Sequence, residues 1–366
     1  MTVTAGAGHL QAAAVLEEAW RFKRPKDEIR RIDLLQFTPA PFRKLYSEGY
    51  VKLIERAPDL WAAAFKKSDD PERLEKLTSF RRLAARVVTG KLADEIRAFK
   101  PDVALCTHFL PLELMGHIRA RDGKAPFTVS CVTDFEAHAL WQEPGADLYC
   151  VAAEETKARL VARGVPEKKV AVTGIPISRR FWKPPAKSAA RRMLKLDAKK
   201  PALLLLGGGF GMGPVEKLAG LIDGCKADVQ LLVVCGRNEE LREKLSKRAW
   251  RKPAKVFGFV TEIEKLMAAS DLIVSKPGGL TSSEALAVGR PMLIVDPIPG
   301  QEAANADYLL EKGAAVKANR LEDVPYRVER LIEAGLSRMA AAARKAGSSR
   351  SALKVIHRLG PGRVRG

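Results

Sequence analysis

The run Pro277-Gly-Gly-Leu-Thr-Ser-Ser-Glu284 gathers two glycines, three hydroxyls and one acid into a single turn. An apolar stretch, Leu272-Ile-Val274, precedes it, and a helix-length segment, Thr281–Val288, follows. Gly278 and Gly279 remove side chains at the end of a strand, so a ligand can approach the backbone. A helix opening there aims its free N–H groups at an anion. Glu284, in the first helical turn, suits a pair of neighbouring hydroxyls such as a ribose offers. The spacing from Thr281 to Glu284 is also that of a capping box, and both readings stand on sequence alone.

Three further turns carry chemistry. Leu206-Gly-Gly-Gly-Phe-Gly-Met-Gly-Pro214 follows another apolar run, and its backbone N–H groups can cradle a diphosphate. No Gly-Lys-Ser/Thr follows, so it is not a P-loop. Arg237, rather than an acid, stands after the next strand, which disfavours a nicotinamide cofactor. Thr4-Ala-Gly6-Ala-Gly8-His9 sets a histidine at a helix N-terminus, where the helix dipole disfavours the imidazolium and leaves a neutral base. The same histidine would serve equally as a cap. Asp296-Pro-Ile-Pro-Gly300-Gln301-Glu302-Ala-Ala-Asn305 puts Gln301 and Asn305 one turn apart, a spacing that suits sugar hydroxyls or simply a polar surface.

Positioning these turns requires strands that alternate with helices. Val103–Cys106, Phe127–Val132, Leu148–Val151, Val170–Val172, Leu203–Leu206, Gln230–Cys235, Leu272–Val274 and Pro291–Val295 are short and near-continuously apolar, as buried parallel strands are. Amphipathic segments lie between them, at His9–Lys23, Glu154–Arg163, Pro214–Gly224, Asn238–Ala249 and Ala303–Lys312. The pattern predicts the α/β class with doubly wound sheets. The 366 residues exceed one ordinary core. We therefore expect two Rossmann-like domains facing a cleft: an N-terminal one over 1–178 with a helical insertion at about 40–100, a basic linker over 179–200, and a C-terminal one over 201–339. A helix at about 340–358 is expected to rejoin the first domain.

Charge is uneven. Residues 1–150 hold 23 Lys and Arg against 21 Asp and Glu, whereas residues 151–366 hold 40 against 22. Such a surplus attracts phosphate, on a nucleotide, a nucleic acid or an anionic membrane. The basic stretches have no interleaved aromatics beyond Phe181-Trp182, and no recognition motif is present, so no nucleic-acid partner is expected. No run of about 18 apolar residues is present, and residues 1–20 lack the features of a secretory leader. The five cysteines show no CxxC spacing, and we read them as buried thiols.

Together, GAGHLQAA, CVTDFEAHALW, DLYCVAAEETKARLVARGV, KVAVTGIPISRRFW, GGGFGMGP, GFV and SKPGGLTSSEALAVGRPMLIVDPIPGQEAANADYL resemble glycosyltransferase family 28. Within it, the likeness is to the monogalactosyldiacylglycerol synthase and processive diacylglycerol glucosyltransferase group, whose fold is GT-B. The resemblance implies inverting transfer of a hexose from a UDP-sugar to a lipid hydroxyl, most simply that of diacylglycerol. It implies that Glu284 holds the ribose, and that Gly8, Gly208, Gly209, Gly211, Gly278, Gly279 and Thr281 belong to the donor-binding turns. Uracil is expected at Phe259 and Val260, and the donor sugar or ribose at Gln301, Glu302 and Asn305. His9 is the candidate base, with Asp134 as partner or rival and His138 nearby on the acceptor side. Lys276 and the helix N-termini would stabilise the departing diphosphate. No Asp-x-Asp triplet occurs, so neither a catalytic metal nor a cofactor beyond the UDP-sugar substrate is expected. Phe210 stands where the group usually has a polar or acidic residue, and only MTVT precedes the first glycines.

A lipid acceptor calls for contact with an anionic membrane surface, and the expected place is the cytoplasmic face. Trp61 and Phe65, flanked by Lys66 and Lys67, form an amphipathic stretch of interfacial type, or an ordinary insertion. Another lipid-linked acceptor, or a UDP-sugar epimerase or hydrolase of the same fold, remains an alternative.

Overall fold

The computed structural model describes residues 1–4, 7–38, 43, 57–69, 90–207 and 213–360. The chain forms two compact units. The first comprises Met1–Ser178, Pro299–Gln301 and Arg350–Gly366; the second comprises Arg179–Ile298 and Glu302–Ser349.

In the first unit, helices α1 (Ala7–Lys23), α2 (Pro58–Ser68), α3 (Phe109–Asp122) and α4 (Glu154–Ala162) accompany strands β1 (Val103–Cys106), β2 (Phe127–Cys131), β3 (Leu148–Val151) and β4 (Val170–Val172). The strands pair in parallel in the order β1-β2-β3-β4. The N-terminal segment lies beside β1, with Thr107 N–H donating to the Met1 carbonyl at 3.1 Å, and Thr2 bridges Asp33. Successive strand residues point to opposite faces. Ala104, Cys106, Tyr149 and Val151 join Leu112, Met115 and Leu160 on one side. Val129, Cys131, Leu148 and Cys150 join Val15, Leu16 and Trp20 of α1 on the other. Of the expected insertion, residues 43, 57–69 (with α2) and 90–100 (helical over 90–99) are described, and the remainder lies outside the described residues.

In the second unit, helices α5 (Lys187–Met193), α6 (Val215–Asp223), α7 (Glu239–Ser246), α8 (Ile263–Ala269), α9 (Gly279–Val288), α10 (Gln301–Glu311), α11 (Val324–Ala334) and α12 (Ser337–Ala346) surround six parallel strands. These are β5 (Ala202–Leu206), β6 (Gln230–Val234), β7 (Ala254–Phe257), β8 (Leu272–Ser275), β9 (Met292–Ile294) and β10 (Ala315–Lys317), in the order β10-β9-β8-β5-β6-β7. The winding reverses between β5 and β8, which run side by side with Leu206 opposite Ser275. Two glycine turns therefore leave the sheet at its switch point, where open α/β sheets bind ligands. The closing helix α13 (Ser351–Arg358) belongs to the first unit, packing on α1 through Ala352, Val355 and Ile356, while α12 packs on α9.

The basic stretch 179–200, expected as a linker, is folded into the second unit. Phe181 is buried, and α5 packs on α8. Arg191 is 4% exposed; its Nε donates to the Ala269 carbonyl at 3.1 Å and one terminal nitrogen to the Ala198 carbonyl at 2.6 Å. Its other terminal nitrogen pairs with Asp271 at 2.5 Å. The charge here satisfies helix-end carbonyls and a buried acid. All five cysteines are free and buried, and burial pushes Cys106 up to about 12.

Candidate active site

At the carboxyl ends of β1 and β2 the chain turns through Thr107 and Thr133, and both meet His9. The helix begins at Ala7, so Gly8 and His9 fall within its first turn. The His9 Nδ1–H donates to the Thr107 carbonyl at 2.7 Å, and the Thr133 hydroxyl lies 3.2 Å from the same nitrogen. The Thr107 hydroxyl donates to the His9 carbonyl at 3.0 Å. The His108 ring stands edge-on to His9 with centroids 4.7 Å apart. Burial lowers the His9 pKa, while the Asp134 charge and the Thr107 carbonyl push it back up. The result is a neutral imidazole beside a carboxylate, the state a general base needs at neutral pH. Asp134 itself is half-buried.

His138 is not available for such work. Its Nδ1 accepts from Leu140 N–H at 3.1 Å, capping the turn Ala139–Trp141, and its Nε2–H donates to the Phe65 carbonyl at 3.0 Å. Both ring nitrogens are occupied with protein, and burial lowers its pKa. The ring packs against Phe65, inclined by 50° with centroids 4.3 Å apart, and Phe65 lies beside Trp61 at 5.8 Å. Trp61 donates through Nε1 to the Pro299 carbonyl at 3.1 Å. Trp61 and Phe65 thus pack into the first unit and do not form the exposed face of α2. Leu60, 62% exposed, and the exposed Ala63, Ala64, Lys66 and Lys67 form that face. The amphipathic reading of this helix chose the wrong aromatic side because the partners of Trp61 and Phe65 lie far off in sequence.

In the second unit the turn after β8 departs from the sequence expectation. α9 starts at Gly279 with Gly278 as its N-cap, in extended conformation and without a side-chain cap bond. Thr281 is therefore inside the first turn, Glu284 is in the second, and no capping box forms. A glycine N-cap costs little more than a hydroxyl one, so the helix extends two residues earlier. Glu284 is half-buried; burial, and then the Glu264 charge on α8, push its carboxyl up to about 8. Lys276 pairs with Asp296 at 3.1 Å and lies against Gly213, which takes φ +133° after the glycine-rich loop. Glu302 approaches Gly278, and its Oε2 accepts from Ile298 N–H at 2.8 Å. Helix α10 carries Gln301 half-buried and Asn305 with no exposed surface, so Asn305 is held in the protein rather than presented. Phe259 is 57% exposed, with the Arg237 guanidinium 5.2 Å over its ring, and Val260 is half-buried. Gly208, Gly209 and Gly211 lie outside the described residues.

Sequence reasoning missed Thr107, Thr133, Glu264 and Arg237. The first two directly follow or nearly follow predicted strands, so their place at strand ends was the available signal. Glu264 gave none, because its meaning depends on which helix packs beside α9.

Two units built on parallel sheets, the second with its switch point between β5 and β8, have the architecture of the GT-B fold. Residues 9–177 match the family model for monogalactosyldiacylglycerol (MGDG) synthase, and residues 202–359 match the glycosyltransferase family 28 C-terminal domain. The chain is 31% identical over 345 residues to the processive diacylglycerol beta-glucosyltransferase of Bacillus pumilus, covering 91% of this chain and 86% of that one. It is 32% identical over 325 residues to monogalactosyldiacylglycerol synthase 3, chloroplastic, of Arabidopsis thaliana, covering 85% and 69%. Among solved structures, MurG of Acinetobacter baumannii shares the fold at a TM-score of 0.59 and 17% identity, over 96% of each chain. The chain belongs to the glycosyltransferase family that contains the MGDG synthases and processive diacylglycerol glucosyltransferases.

Proposed function

We propose that this protein transfers a hexose from a UDP-sugar to the free hydroxyl of diacylglycerol with inversion, giving a β-linked glycolipid. The acceptor hydroxyl gives its proton to His9 as its oxygen bonds the anomeric carbon, and UDP leaves with the bonding pair. Asp134 supports the imidazolium that forms. Glu284 receives the two ribose hydroxyls, and the α9 N-terminus, Lys276 and the backbone at Gly208, Gly209 and Gly211 receive the diphosphate. Phe259 and Val260 take the uracil; Gln301 and Glu302 take the sugar, with Asn305 supporting them from within the protein.

The observation that carries the reading is the turn after β8: two glycines at a helix N-terminus, with a half-buried acid one turn on. The acceptor class rests on relatives named as a diacylglycerol glucosyltransferase and a monogalactosyldiacylglycerol synthase. No helix among the described residues is long and apolar enough to cross a membrane. We place the protein peripherally on the anionic cytoplasmic face, where the surplus of cations beyond residue 150 and the exposed Leu60, Lys66 and Lys67 favour adsorption.

The test offers radiolabelled UDP-glucose and UDP-galactose to protein with vesicles of diacylglycerol and phosphatidylglycerol, in EDTA. Label in the organic phase from one donor supports the reading and names the sugar. UDP release without labelled lipid rejects diacylglycerol as acceptor.

A further inference from the structure

The two threonines at the ends of β1 and β2 have no role in the reaction just described. They come from strands that pair in register, yet both aim polar atoms at one nitrogen of His9. Thr107 is 1% exposed and Thr133 is 4% exposed, so these contacts are shielded from water. Thr107 holds His9 twice. Its carbonyl takes the ring, and its hydroxyl takes the His9 main-chain carbonyl at 3.0 Å.

The chemistry of the partners decides the tautomer. A backbone carbonyl can only accept, so at 2.7 Å the Nδ1 must carry the proton. The Thr133 oxygen, 3.2 Å away, then shares that N–H as a second acceptor. Nδ1 cannot take the acceptor's proton while it bears its own, and Nε2 is left with the lone pair. No protein hydrogen bond to Nε2 is found among the described residues.

We propose that Thr107 and Thr133 are positioning residues that lock His9 as the Nδ1–H tautomer, so that Nε2 alone receives the proton of the lipid hydroxyl. The inference rests on the reading of His9 as the base. When Nε2 takes that proton, the ring becomes a cation whose Nδ1–H is more acidic. Two acceptors already aligned on it stabilise the cation without rearrangement. Asp134 supplies the opposite charge, and the threonines supply the orientation.

The test uses the full chain. Nitrogen-15 histidine labelling reads the tautomer directly, with His9→Gln identifying its resonances. His9 is expected as Nδ1–H at pH 7.5. An Nε2–H signal would overturn the proposal whatever the activity. Thr133→Val keeps the shape and removes the hydroxyl. With UDP-sugar and diacylglycerol vesicles it should lower kcat about 10-fold with KM for the donor unchanged, since general-base contributions run to ~10²–10⁴. It should also move the acidic limb of the kcat profile to lower pH, because losing an acceptor on Nδ1–H weakens the base. Thr133→Ser should restore both. A Thr133→Val enzyme with unaltered kcat and pH profile would overturn the proposal. If Thr133→Val fails to fold, Thr133→Ala removes the same hydroxyl and is read against Thr133→Ser in the same way, because the Thr107 contact to the ring is made by its main-chain carbonyl and survives any substitution there. Full turnover by His9→Gln would instead remove the base reading itself.

Discussion

Glu264 on α8 and Glu284 on α9 are coupled carboxyls: their helices pack together, and the Glu264 charge adds to burial in pushing Glu284 up to about 8. Glu264 is 5% exposed, and its Oε2 has no hydrogen-bond partner. At neutral pH Glu284 is therefore mostly protonated, whereas the proposed ribose contact uses both oxygens as acceptors, in the carboxylate form. On that reading UDP binding is expected to expel a proton. Affinity is expected to rise with pH, by up to ~10-fold per unit, and to level off above about pH 8. Titration calorimetry with UDP in two buffers of different ionisation heat should show one proton released per UDP at pH 7. Equal affinity from pH 6 to 9 would contradict this.

The same raised value fixes how Glu284 affects folding. Its folded pKa lies above the ordinary 4.5, so ionising it costs stability. The cost is absent below about 4.5, grows as pH rises and is complete above about 8. Glu284→Gln should therefore not lower Tm at pH 8, and should raise it slightly. UDP affinity should fall ~100-fold, the worth of about 3 kcal/mol for two charged hydrogen bonds. A large loss of Tm with UDP affinity intact would show a structural acid and no ribose ligand.

The central strands were legible because each is a short, largely apolar run with no charged residue in it. β7 and β10 were not. β7 is half-buried throughout and interrupted by Lys255; β10 has three residues and ends in Lys317. Both are edge strands, where charge is tolerated and guards against unwanted pairing. Of the two readings of Thr281 and Glu284, the capping box is not formed: Ser/Thr-x-x-Glu is a local signal, whereas α9 starts two residues earlier, at Gly279 behind Gly278. The 179–200 stretch misled because what orders it is Asp271 and the carbonyls of Ala198 and Ala269, far along the chain or invisible as side chains.

Arg191 tests that account. It is buried against Asp271, which also pairs with Lys187 and accepts from Ala202 N–H at 2.8 Å at the start of β5. Arg191→Met keeps the stem and takes a donor from Asp271 and from the carbonyls of Asp197, Ala198 and Ala269. The expected loss is ~3–5 kcal/mol in denaturant unfolding. Arg191→Lys should recover only part, since one ammonium cannot span the acceptors that a planar guanidinium reaches. A neutral Arg191→Met would mean the stretch is a linker after all.

Gly347 ties stability to the donor turn. It ends α12 where that helix crosses α9, and a Cβ there would stand 2.4 Å from the Leu286 carbonyl oxygen and 2.7 Å from its carbon. Those are backbone atoms of the helix that carries Glu284, so the clash cannot be relieved by turning a side chain. Gly347→Ala must push α9 or α12, at a cost of ~1–3 kcal/mol. A shift of α9 also moves its N-terminus and Glu284, so UDP affinity should fall along with Tm. Gly313→Ala supplies the contrast. Gly313 has φ +66° but nothing within 4 Å of a Cβ, so alanine there brings backbone strain alone. It should cost ~1 kcal/mol and leave UDP binding unchanged. If both variants lose stability equally and neither alters UDP affinity, the packing of α12 on α9 does not set the donor turn.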